Sequence, residues 1–192
     1  MNKCKLNIIV PIIFIFNLPI FGQVEDYFPL HKGDHWQYLY QEFLGPSFWD
    51  YKVVDIIDTM ADSSTVYVVE QTGFPVVFYK IKQNDSAVIY WNYEGLNNEY
   101  FPFLKFTYNT NEAWQIDFVR WTSFNSKSIG TIWTVTDSVC EFYTSGDSAM
   151  LLVTYKSFYM KGIGFIYEDQ EGGNSVSLLG CIVNGVKYGT IV

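Results

Sequence analysis

The chain has 192 residues, a formal charge of −8, an aromatic content of 19% and one arginine, Arg120. Such an acidic chain excludes nucleic acid and anionic membranes as partners, because both demand basic patches. The acids are scattered, so they solvate a surface and do not form a charged tail.

The first residues have the layout of a secretory signal peptide: a basic start "MNKCK", an apolar run "LNIIVPIIFIFNLPIF", and Gly22 as a small residue at the cut. The uncharged stretch from Leu6 to Val24 is almost long enough for a membrane anchor. Pro11, Asn17 and Pro19 interrupt it, and Cys4 comes too early to be lipidated. The expectation is a signal peptide over 1–22 and a single β-rich domain over 23–192. The product is secreted or held at the cell surface, the periplasm included, with no membrane association after cleavage. Cleavage removes Lys3 and Lys5 and leaves 10 basic and 20 acidic residues, a formal charge of −10. It also leaves two cysteines, Cys140 and Cys181. An even pair outside the cell invites a disulfide. Separate buried thiols are the alternative and the expectation.

The remainder reads as strand. "DHWQYLY" alternates Trp36, Tyr38 and Tyr40 against Gln37 and Leu39, and "FWDYKVVDII", "STVYVVEQ", "PVVFYKIKQ" and "SAVIYWNY" follow. Between them lie "DTMADSS", "TGFP" and "QNDS", which hold the residues that turns require. "YFPFLKF", "EAWQIDFVRW", "GTIWTV", "SVCEFYT", "SAMLLVTYKSFY", "GIGFIYED", "SVSLLGCIV" and "GVKYGTIV" complete the series. In "VFYKIKQ", Lys80 and Lys82 oppose Tyr79 and Ile81, whereas "AMLLV" (149–153) is apolar on both faces and must be covered twice. The fold expected is all-β: an antiparallel meander of about a dozen strands, forming a curled barrel-like sheet or a two-sheet sandwich, since large sheets curl or split.

Few residues suggest chemistry. His31 and His35 stand four apart with Asp34 between them, a spacing that zinc proteases use on a helix. Gly33 and the strand that follows oppose a helix, and no third histidine exists, so a turn is expected and no metal. Asp58 and Asp62 lack the dense ligand run of a calcium loop. "SGDSAM" is not a nucleophile elbow and "GIGFIY" is not a dinucleotide fingerprint. Gly162 and Gly164 instead mark a bulge or a close backbone approach. A glycosidase needs two carboxylates. Asp117, beside Trp114, Arg120 and Trp121, is the best local candidate, although alternation turns it to water. Glu168, Asp169 and Glu171 flank a "GG" turn and are expected at a solvated hairpin tip. The aromatic ladders Trp36, Tyr38, Tyr40 and Trp114, Ile116, Phe118 are expected to line a common interior. Trp121, on the opposite face of its strand, is then the candidate ligand-binding residue. No catalytic residue and no cofactor are expected.

The opening "YFPLHKGDHWQY" resembles the "FPL..G..W.Y" start of a family of exported bacterial β-domains, often carried by type IX secretion and mostly without assigned activity. "NEAWQIDF" resembles that family's central Trp strand, and "FYMKGIGFIYED" with "SLLGCIVNGVKYG" its closing strands. The resemblance implies that His31 and His35 are spacer positions, and it brings no catalytic residues. Family members often continue into a sorting domain with a "YPNPFN"-like motif. The sequence stops at Val192 without one, which implies a longer native chain or another export route. The function expected is a non-catalytic exported β-module with a structural or binding role. A carrier of an apolar ligand in a curled sheet is the first alternative, and a carbohydrate-active hydrolase the second. The expected partners are a glycan, an apolar small molecule or another exported protein.

Overall fold

The computed structural model describes residues 27–42, 45–57, 65–72, 77–83, 88–93, 101–106, 112–116, 120–148 and 151–191. The signal segment, Asp58, Asp62, Asp117, Phe118 and residues 149–150 lie outside that set, as do the side chains of 151–153. The described strands are β1 (His35–Glu42), β2 (Gly45–Ile57), β3 (Thr65–Thr72), β4 (Val77–Gln83), β5 (Val88–Tyr93) and β6 (Phe101–Lys105). They continue as β7 (Ala113–Gln115), β8 (Arg120–Ile132), β9 (Val135–Ser148), β10 (Leu151–Met160), β11 (Gly164–Gln170), β12 (Ser175–Val183) and β13 (Val186–Gly189).

All belong to one antiparallel sheet, in the order β6-β5-β4-β3-β2-β1-β12-β11-β10-β9-β8-β7, with β13 paired to β12. Each strand except β7 pairs with its predecessor in sequence, and β1 pairs with β12, so β6 and β7 are the two ends of the sheet and the curl brings them together at a seam. Side chains bridge that seam. Trp114 Nε1 donates to the Phe103 carbonyl at 3.4 Å, Lys105 pairs with Glu112 at 3.2 Å, and the Lys105 ammonium lies 5.4 Å from the centre of a Trp114 ring. The expected all-β antiparallel meander is what forms, as one curled sheet whose end strands β6 and β7 do not pair, so that it does not close.

The curl has a local cause. An extra residue enters one strand at Val54, Phe103, Asn125, Ile166 and Leu179. Each such bulge bends its strand and increases twist. Phe142 sits at the centre of the resulting core: its ring meets Phe106, Trp114, Phe124 and Tyr159 edge-on at 5.4–6.2 Å between centroids, the geometry that aromatic quadrupoles favour. Tyr27 to Leu30 enter this interior before β1, and Tyr27 stacks on Phe106 at 5.1 Å.

Two expected strands prove to be hairpins. "EAWQIDFVRW" reverses within itself: Trp114 pairs with Thr122 and Gln115 with Trp121, and Ile116 N–H donates to the Arg120 carbonyl. "GTIWTV" likewise contains the β8–β9 turn, with Trp133 at φ +53°. A tryptophan disfavours that left-handed conformation, so nothing local announces the turn.

Candidate functional site

The "HKGDHW" stretch is a turn that seats the first strand. Gly33 has φ +94°, a conformation glycine adopts without steric cost. Asp34, 1% exposed, accepts the His31 backbone N–H at 2.8 Å and contacts His31 Nδ1 at 3.0 Å with one oxygen. Its other oxygen accepts the Asn184 N–H at 2.7 Å, which ties the turn to the β12–β13 hairpin. His35 instead pairs with Asp50 at 2.8 Å. The two histidines thus serve different carboxylates. Among the described residues no three His, Cys, Asp or Glu groups converge as a metal site.

Next to that turn the curled sheet forms a partly open cavity of about 180 Å³. Its floor is Phe28, Pro29 and Leu30, and its walls include Trp36 and Tyr38 of β1, Trp49 and Tyr51 of β2, Tyr159 of β10 and Phe165 of β11. Two of these rings have their donors committed elsewhere. Trp36 Nε1 donates to the Ile163 carbonyl at 2.8 Å, and Tyr38 Oη donates to the Phe165 carbonyl at 3.2 Å. Gly164, between those carbonyls, has φ +98°, and a Cβ there would sit 3.5 Å from Trp36 Nε1. That is an ordinary contact distance, so the positive φ, and not a close approach to the indole, is what favours glycine here. Tyr38 also meets Tyr51 edge-on at 5.6 Å and Phe165 at 5.3 Å, which fixes the wall.

One carboxylate, Glu168, lines the cavity among the described residues. This corrects the expectation of a solvated tip. The β11–β12 turn lies at 171–174, where Glu171 is exposed, and Asp169 faces outward. Glu168 points inward, because register places Ser157 beside it on one side and Val176, then Tyr40, on the other. Its carboxylate accepts Gln170 Nε2 at 2.7 Å and Ser157 Oγ at 3.1 Å. Burial raises its pKa above the ordinary glutamate value, and those two hydrogen bonds and the more distant Arg120 charge oppose the rise. Arg120 itself donates to Tyr155 Oη at 3.2 Å. Burial also raises the Tyr159, Tyr155 and Tyr40 phenols, with the Glu168 charge adding to each.

The remaining sequence candidates lie apart from this site. Trp114 and Ile116 are buried in the same core as Trp36 and Tyr38, but they pack against the seam and Phe142 and do not line the cavity. Trp121 is 50% exposed, and neither it nor Arg120 lines the cavity. Cys140 and Cys181 are buried free thiols, with pKa values pushed by burial to about 11 and about 12.

With this geometry in hand, the sheet can be compared with known structures. A protein of Bacteroides fragilis described as exported, with a YmcC-like fold, aligns with a TM-score of 0.53 at 9% identity, over 79% of this chain and 96% of its own. The two share a fold. At that identity the likeness says nothing of activity. A protein of Parabacteroides distasonis described as a lipoprotein aligns at a TM-score of 0.42 and 12% identity, over 79% of this chain and 95% of its own. No family model matches the sequence, and no curated protein matches it.

Proposed function

We propose that this protein is a non-catalytic exported binding module whose curled sheet carries a small apolar ligand in the aromatic cavity. The observation that carries the reading is the cavity itself: a partly open space of about 180 Å³ lined chiefly by aromatic and aliphatic side chains. A concave, largely apolar pocket with few polar groups on it is the usual form of a small-molecule site. An apolar cavity of ~150 Å³ accepts benzene, which sets the scale of the occupant. Export is supported by the signal-like first 22 residues and by the description of the Bacteroides neighbour as exported.

The "FPL..G..W.Y" resemblance fits the same reading. Phe28, Pro29, Leu30, Trp36 and Tyr38 all line the cavity, and Gly33 turns the chain between them. We infer that the motif encodes the floor and one wall of a ligand site, and that relatives carrying it keep a comparable cavity. A glycosidase would need a second carboxylate opposite Glu168, at roughly 5–9.5 Å, and the described lining supplies none.

The test is native mass spectrometry of the secreted protein, followed by thermal shift and tryptophan fluorescence against a panel of small apolar and amphipathic molecules. A retained or added ligand should raise the melting temperature and perturb the emission of Trp36 and Trp49. A protein that no member of the panel stabilises, or one that hydrolyses glycosides, would refute the reading.

A further inference from the structure

We propose that the cavity is selective for a small organic cation, an alkylammonium or quaternary ammonium group held by ring faces and the Glu168 carboxylate. This rests on the cavity being a ligand site and adds the charge of the ligand.

Three features of the lining converge. The first is its charge inventory: Glu168 is the one formally charged residue on it among the described residues. The groups that bond Glu168, Ser157 and Gln170, are neutral, and Arg120 acts on it only from a distance. A carboxylate taken from water without a paired cation is costly to keep. Hydrogen-bonded neutral donors offset part of that cost, and a bound cation would offset much of the rest.

The second feature is the number of aromatic rings. Aromatic faces are electronegative and attract cations, indole most strongly. The wall offers Trp36, Trp49, Tyr38, Tyr51, Tyr159 and Phe165 around one small volume. Two of the donors an anion would use, those of Trp36 and Tyr38, are spent on the Ile163 and Phe165 carbonyls. A carboxylate or phosphate ligand would meet the negative charge of Glu168. A neutral hydrocarbon would leave Glu168 uncompensated. A cation satisfies both sets of groups.

The third feature is retention at a cost. Burial lifts the Glu168 pKa, so the folded state disfavours its charged form. Glutamine at this position would accept one of those hydrogen bonds on its carbonyl and donate to the Ser157 hydroxyl in place of the other, without that cost. A group that lowers stability and lines a cavity belongs to function before it belongs to the fold. The strongly acidic chain adds long-range attraction for cations and repels anions.

The experiment compares choline with its uncharged carbon isostere, 3,3-dimethylbutan-1-ol, by calorimetry and tryptophan fluorescence on the secreted protein. Choline should bind at least about tenfold more tightly, the scale of a desolvated cation–π contact. Glu168→Gln should remove most of that preference while keeping or raising the melting temperature at pH 7. Trp49→Leu, a second variant, should weaken choline more than the isostere. Equal or tighter binding of the isostere overturns the cation and leaves the apolar cavity standing. Binding of butyrate in preference to choline overturns it in the same way. If neither choline, the isostere nor any apolar probe binds, the cavity reading falls and the cation with it.

Discussion

Replacing Trp36 by alanine should cost about 4 kcal/mol of stability. Trp36 is 6% exposed and joins three things: the Ile163 carbonyl, the glycine at 164 and the cavity wall. An indole buries roughly 200 Å², which at ~25 cal/mol/Å² is about 5 kcal/mol before correction for a compact unfolded chain. That correction removes roughly 10–40%. The lost hydrogen bond to Ile163 returns about 1 kcal/mol. The deleted ring borders an existing void, so its neighbours have little to collapse onto and the enlarged cavity persists, which keeps the loss in the upper part of the usual ~3–5 kcal/mol. Trp36→Phe separates the contributions. It keeps a ring in place but leaves the Ile163 carbonyl unpaired, at about 1–3 kcal/mol. Urea unfolding followed by far-UV circular dichroism gives both values, with an unchanged slope showing that the unfolded state is the same. A loss under about 1.5 kcal/mol for alanine, far below the range for large core aromatics, would refute the role assigned to the indole. So would a phenylalanine variant as damaged as the alanine one.

Three further outcomes are expected. Both thiols should resist labelling in the folded protein and react after unfolding without reductant. Because burial lifts them from near 9 to about 11 and about 12, unfolded thiols ionise first, so stability should fall as pH rises above 9. Replacing both cysteines by alanine should flatten that fall; a disulfide detected by mass, or an unaltered slope, would contradict it. Trp121→Ala should leave the melting temperature almost unchanged, since half of the ring is already in water. If it abolishes binding of a glycan panel, the outer face is a second site; a large loss of stability would place the ring in the core. Gly180→Ala puts a Cβ 2.5 Å from the Thr190 carbonyl oxygen, a backbone atom that cannot swing aside. Strand β13 should then detach, read as faster hydrogen exchange at the Thr190 amide, now bonded to Leu179. Unchanged exchange there would show that the close approach is not required.

The sequence by itself determined the class of fold, because strand and turn signals are local. Alternating aromatic and β-branched runs separated by Gly, Asn, Asp and Ser clusters leave an antiparallel meander as the consistent solution. It also determined that "HKGDHW" turns, since Gly33 bars a helix and a short aspartate can bind its own backbone. Which face a side chain takes was another matter. Phe165 and Glu168 line one cavity although three residues apart, because Ile166 is an extra residue opposite β10 and shifts the parity between them. Alternation read from the sequence makes Tyr167 the core residue and Glu168 the solvent one; the bulge makes it the reverse. "EAWQIDFVRW" shows the same limit, since a reversal between Ile116 and Arg120 turns one apparent strand into two. The curl of the sheet was equally out of reach, because the β1–β12 pairing that joins its two halves links residues over 130 positions apart. Composition and spacing decide what a segment prefers. Bulges and long-range pairing decide which way it faces, and with that whether a glutamate meets water or a cage of rings.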